Sequence, residues 1–289
     1  MNKMYWVFAL FFFASCEKNI NFTLDATKPN VVVDAQIEND KAPVVTLTKS
    51  VDFFSQISPM IYASIYLHNA EVYISNGTLT HKLKEVSKPS PYGFNTYYYS
   101  IDSSHLSTAF LGELNTNYTL RVVTDGKEYL SSTTIPRLDW VPDTVFYKPN
   151  PFDTNLLRRN MFVTYNEPRG VGNFCRYFTN RNGRGFLPGT NSVYSDEVID
   201  GTTFTTQLGP GIDRNDPLPE IHFFVGDTVS LKFCNIDKAT YTFWNTWEFS
   251  LQSIGNPFSQ PNKVIGNISN GALGAFCGYA AWYKKTIVQ

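Results

Sequence analysis

At 289 residues the chain has room for one large β domain or two domains of ordinary size. An apolar fraction of 43% argues against disorder, and a net charge of −1 offers no field for gathering a polyanion. No cluster of Lys and Arg interleaves with aromatics, so nucleic acid is a poor partner class. With 17 Tyr, 23 Phe and 5 Trp against only 17% charged residues, the composition suits pleated, half-buried surfaces better than helical bundles.

The first segment sets the compartment. Lys3 precedes an apolar run from Met4 to Ala14, too short for a hydrocarbon core that needs roughly 20 residues. A basic start, an apolar middle and small residues at the end predict a secretory signal over 1–15. Phe13-Ala14-Ser15-Cys16 resembles the bacterial lipobox, in which the thiol takes a diacylglycerol before cleavage. Cys16 is therefore the expected lipidation site and residues 16–27 a tether, with the membrane as a partner through acyl chains. Glu17 does not resemble the aspartate that retains some lipoproteins in the inner membrane.

Short alternating runs follow. Val31–Ile37, Val44–Thr48, Glu71–Ser75, Leu79–Leu83, Tyr97–Ile101, Tyr118–Val123 and Glu128–Leu130 predict an antiparallel sandwich of about seven strands over 28–138. Asn76-Gly77 and Asp125-Gly126 accept the positive φ angles of tight hairpins, and two-residue links cannot join parallel strands. Pro136, Pro142, Pro149 and Pro151 mark a break near 138. A second β-rich domain over 139–289 is expected, with strands at Met161–Tyr165, Phe174–Thr179 and Thr228–Phe233 and a hairpin at Asn182-Gly183. Gly189 to Pro219 is rich in loop residues. One segment breaks the pattern: Asp237 caps a predicted helix from Lys238 to about Gln252, with Phe243, Trp247 and Leu251 on one face. The fold class is thus all-β, two antiparallel sandwiches with one short helix in the second.

The search for chemistry returns little. His68, His81, His105 and His222 stand apart in sequence and have no zinc-ligand spacing. No serine elbow or phosphate loop is present, so no catalytic residue, resident metal or cofactor is expected. Asp196-Glu197 and Asp213-Arg214-Asn215-Asp216 offer carboxylates for a hydrolase or a calcium loop, but the simpler expectation is solvated loop charge. Cys175, Cys234 and Cys277 form no C-x-x-C, and either a disulfide plus one thiol or three buried thiols would fit export. Tyr241, Trp244 and Trp247 could stack on sugar rings, although aromatics at helical spacing are more often core. Asp143-Thr144-Val145 and Asp227-Thr228-Val229 match a short Asp-Thr-aliphatic pattern resembling O-glycosylation sites of Bacteroidota, making Thr144 and Thr228 candidate acceptors.

Across its mature length the chain resembles a Bacteroidota lipoprotein family, domain-of-unknown-function family 4249. The likeness runs through Cys16-Glu17-Lys18, Val31-Val32-Val33, Ala70–Ile74, Tyr118-Thr119-Leu120 and Asp125–Tyr129. It ends with Asn256-Pro257-Phe258, Asn267-Ile268, Gly271, Leu273-Gly274, Phe276 and Gly278-Tyr279. The resemblance implies two β domains on a lipid anchor, the first immunoglobulin-like or transthyretin-like. It also implies an accessory role beside a TonB-dependent outer-membrane receptor in nutrient capture. A stand-alone surface glycan-binding protein is the alternative, and a hydrolase the third reading.

Overall fold

The computed structural model describes residues 29–51, 58–90, 93–151, 153–254, 256 and 262–289. The predicted signal, Cys16 and the whole tether lie outside them, as do Pro257 and Phe258. Among the described residues no helix is long and apolar enough to cross a membrane.

The fold is all-β and sandwich-like. The first seven strands are β1 (Val31–Glu38), β2 (Val44–Lys49), β3 (Glu71–Ser75), β4 (Thr80–Pro89), β5 (Asn95–Ser100), β6 (Thr116–Thr124) and β7 (Lys127–Ile135), with a short helix α1 (Pro59–Ser64) between β2 and β3. Their inward residues Val33, Ile37, Leu47, Val72, Leu120 and Ile135 make one apolar core. β4 turns the sheet over: Thr80–Leu83 pair with β3, and Lys84–Pro89 pair with β5. Asp125 and Gly126 both take positive φ, which makes a two-residue turn between β6 and β7. At Asn76-Gly77 only Gly77 is positive, because the loop spans four residues; the Asn76 side chain caps Thr78 and Leu79 instead.

The second half contains β8 (Pro142–Pro149), β9 (Arg158–Asn166), β10 (Phe174–Arg181), β11 (Leu187–Ser195), β12 (Thr203–Leu208), β13 (Phe223–Phe224), β14 (Thr228–Ile236), α2 (Lys238–Gln252) and β15 (Leu273–Ile287). The predicted hairpin at Asn182-Gly183 joins β10 to β11, with both turn residues at positive φ. The predicted helix is α2, and Asp237 caps it by accepting from Thr240 N at 2.7 Å. β8, β9, β12 and β13 form a small sheet facing the β11-β10-β14-β15 sheet across a core of Trp140, Met161, Val163, Tyr177, Phe223 and Phe233. The other face of that larger sheet carries α2 over Phe174, Cys234, Cys277 and Tyr279.

β15 ties the halves together. Leu273–Tyr279 run beside β1, the one parallel pairing among the named strands, and Ala280–Ile287 pair antiparallel with β14. A parallel neighbour requires a long crossover, and here that crossover is the whole intervening chain. The approach is close: a Cβ on Gly278 would lie 2.3 Å from the Thr134 carbonyl oxygen of β7. Side chains add to the joint. Asp237 accepts from Thr134 N at 2.8 Å and Thr133 Oγ1 at 2.9 Å, while Asn235 bonds both backbone groups of Trp140. Glu38 lies 2.5 Å from Lys232 Nζ and 2.6 Å from Lys41 Nζ and accepts from the Tyr283 hydroxyl. Burial alone would raise the Glu38 carboxyl, but Lys232 and the hydrogen bonds from Lys41 and Tyr283 outweigh it and hold it below its ordinary value.

Candidate functional site

The most unusual chemistry sits under α2. Strand alternation turns Arg176 of β10 onto the helix-covered face, where it is 3% exposed. Its guanidinium lies 3.5 Å from the Trp244 ring centre and 4.7 Å from that of Phe178. Nε donates to Ser192 Oγ at 3.1 Å, and one Nη donates to the Tyr279 hydroxyl at 3.1 Å. That hydroxyl also accepts from Trp244 Nε1 at 2.9 Å. Glu248 of α2, 4% exposed, accepts from Ser192 N at 2.9 Å and from the Ser192 hydroxyl, and Asp34 of β1 also feels the Arg176 charge. Ser192 therefore relays between a buried cation and a buried carboxylate. Burial also pushes the Tyr279 phenol well above its ordinary value.

The predicted aromatic stripe is engaged in this packing. Tyr241 stacks on Phe174 at 4.8 Å, Trp244 covers Arg176, and Trp247 meets Trp244 edge-on at 5.4 Å and Arg214 at 5.1 Å. Arg176 and Glu248 were not picked out from the sequence. A signal existed for the second: Glu248 follows Trp244 by four positions, on the apolar side of the helix.

A cleft of about 560 Å³ opens at the N-terminal end of α2, lined in part by Thr134, Pro136, Val171, Phe174, Asp196 and Asp237. Asp196 corrects the expectation of solvated loop charge, because it is fully buried. Its carboxylate accepts from Gly172 N at 3.0 Å, Asn173 N at 2.9 Å and Asn173 Nδ2 at 3.0 Å. Glu167, also buried, accepts from Gly201 N at 2.5 Å and Asn173 Nδ2 at 3.1 Å, and Asp200 takes Gly170 N at 2.6 Å. The two loops, 167–173 and 196–202, are thereby clamped to one another. Glu167, Asp196 and Asp200 each bring an oxygen within 4.8 Å of the others, so among the described residues this is where the donor set comes nearest to suiting a cation. Burial, with Asp196 and Asp200 adding to it, raises the Glu167 carboxyl against the pull of the Gly201 and Asn173 donors.

Asp213 and Asp216 lie elsewhere, beside Arg181, Arg184 and Glu220 around a recess of about 110 Å³. Each carboxylate folds back on its own loop, to Asn215 N and Leu218 N, both at 2.9 Å. Asp196 and Asp213 thus line two different recesses. Two of the histidines are nearer in space than in sequence. His81, 1% exposed, accepts from Asp102 N at 3.1 Å and pairs with Thr108 at 2.9 Å, while His105 meets the Asp102 carboxylate at 2.9 Å. Desolvation lowers the His81 pKa. His68 pairs with Glu85, and His222 lies 3.1 Å from Glu220.

Cys175, Cys234 and Cys277 are buried free thiols, and burial pushes Cys234 and Cys277 up to about 12. Thr144 is exposed on β8, next to an exposed Asp143. Thr228 is half-buried, and its neighbour Asp227 is occupied by Asn182 Nδ2 at 2.7 Å and Phe224 N at 2.9 Å.

Over residues 17–285 the chain matches a family described as a domain of unknown function, DUF4249. No curated protein matches it.

Proposed function

We propose, on the premise that this chain belongs to the DUF4249 family, that it is an outer-membrane lipoprotein that works by binding. Lipidated Cys16 anchors it in the membrane, at the cell surface, and its second half docks on a TonB-dependent barrel during nutrient capture. This is the role implied by its likeness to Bacteroidota lipoproteins.

The observation that carries the reading is the clamped loop pair. Val171 is 68% exposed and Val198 is 92% exposed, both on the loops that Glu167, Asp196 and Asp200 hold together. Buried carboxylates are costly unless fully hydrogen-bonded. Spending them to fix exposed aliphatic side chains makes sense where a partner meets a preorganised surface. The glycan-binding alternative relies on Tyr241, Trp244 and Trp247, whose rings already contact Phe174, Arg176 and Arg214. If the chain is O-glycosylated, exposed Thr144, beside exposed Asp143, is a better-placed acceptor than half-buried Thr228.

The test is gentle purification of the tagged full-length protein from native outer membranes. A TonB-dependent barrel is expected at near-equal amounts, and Val171→Asp with Val198→Asp is expected to release it while Cys16 keeps the protein in the membrane. Recovery of the wild-type protein alone, under conditions that preserve other membrane complexes, would overturn the docking role.

A further inference from the structure

The edges of the sheets are treated unequally. The outer side of β7 is covered: Ser269 N donates to Leu130 O at 2.8 Å, Leu130 N donates to Ser269 Oγ at 2.7 Å, and Asp237 takes Thr134 N. The outer side of β11 is covered by Glu248 on Ser192 N, Gln252 on Thr190 O at 3.4 Å, and Ile212 N on Pro188 O at 2.9 Å. β8 is bounded by Pro142 and Pro149, which blunt an edge by removing donors.

β12 has none of these devices. Thr203-Phe204-Thr205-Thr206-Gln207-Leu208 contains no charge and no proline, and among the described residues nothing bonds its outer side. The bond from Glu167 N to Thr202 O at 3.0 Å fixes the alternation. Phe204 and Thr206 then bond β9, and Thr203, Thr205 and Gln207 turn their N–H and C=O groups outward. At the same seam Tyr194, Ile199 and Phe204 pack on the core while remaining half-exposed.

We infer that β12 pairs antiparallel with β12 of a second copy of this chain, giving a two-fold dimer with one continuous small sheet. The edge is self-complementary. About a two-fold axis at Thr205, Thr205 faces Thr205, and Thr203 faces Gln207, each outward donor meeting an outward acceptor. No like charges oppose one another, and the added strand covers Tyr194, Ile199 and Phe204. A single strand pairing is a modest interface, and confinement of both copies to one membrane would raise their effective concentration. This inference does not rest on the barrel-docking role, although Ile199 belongs to the 196–202 loop that the docking reading also uses.

The test uses the full-length protein in native membranes with Thr205→Cys. Facing residues in a hydrogen-bonded antiparallel pair lie about 5.5 Å apart, within disulfide reach. Mild oxidation is expected to link two copies about tenfold faster than in Thr144→Cys, an exposed control on the other edge of the small sheet. Light scattering of the detergent-purified chain is expected to show dimer for wild type and monomer for Thr205→Lys, which sets like charges face to face. Wild-type melting behaviour in Thr205→Lys would show that the fold is kept. Equal linking of the two cysteine variants, or a wild-type monomer at every concentration, would overturn the inference, and linking through Thr144→Cys alone would move the interface to β8.

Discussion

The two halves solve burial differently. The first half closes over an apolar core in which Val33, Ile37, Leu47, Val72 and Leu120 come from alternating strand positions. The second half buries Arg176, Ser192 and Glu248 between sheet and helix, and Glu167 and Asp196 between loops. Apolar burial is non-directional and tolerant, whereas a buried polar group must find its partner at the right distance. On the proposed docking role, the first half serves as scaffold and the second fixes the shape of the surface a partner would meet.

Substitutions should separate these two modes. The largest effect is expected from Arg176→Ala, which leaves Glu248 buried without its relayed counter-charge, a loss of about 3–5 kcal/mol in urea unfolding. Arg176→Ala combined with Glu248→Ala should recover part of that loss. Simple additivity would remove the relay from the account. Gly278→Ala strikes the shared strand instead, because its Cβ would meet the Thr134 carbonyl at 2.3 Å. A loss of about 1–3 kcal/mol is expected, felt by both halves in one transition. Two separate transitions would deny the coupling through β15.

Acid should sharpen the comparison with a smaller effect. The folded pKa of His81 lies below its ordinary 6.5, so its neutral form stabilises the first half fully above that pH, and the contribution fades as pH falls below it. The folded pKa of Glu38 lies below 4.5, so its contribution at the junction persists until pH falls below that value. Urea midpoints are expected to decline in two stages, the upper reduced in His81→Gln and the lower reduced in Glu38→Gln, with Asp102 and Asp153 still contributing to the lower. A single stage unaffected by either substitution would contradict these assignments.

Much of the fold is legible in the sequence because its signals are local. Alternation marks β1 to β7, Asp125-Gly126 marks a hairpin, and Asp237 ahead of an aromatic stripe marks α2. β15 is different. Leu273-Gly274-Ala275-Phe276-Cys277-Gly278-Tyr279 lacks a strand signature because its small residues serve close neighbours. The site of a Gly274 Cβ is taken by the Val33 carbonyl at 2.0 Å, and that of Gly278 by Thr134. Asp196 reads as a loop charge because its donors, Gly172 and Asn173, lie more than twenty positions away. His81 and His105 read as isolated because Asp102 joins them only in the fold.

The claim that the second half presents a fixed surface is tested most directly by amide hydrogen exchange in the full-length protein at Gly172, Asn173 and Gly201. These N–H groups sit on surface loops but donate to buried carboxylates of Asp196 and Glu167. The account predicts slow exchange at all three, accelerated at Gly172 and Asn173 in Asp196→Ala. Exchange as fast in the wild type as in an unstructured peptide would contradict it, and the clamped loops could no longer be read as a preorganised docking surface.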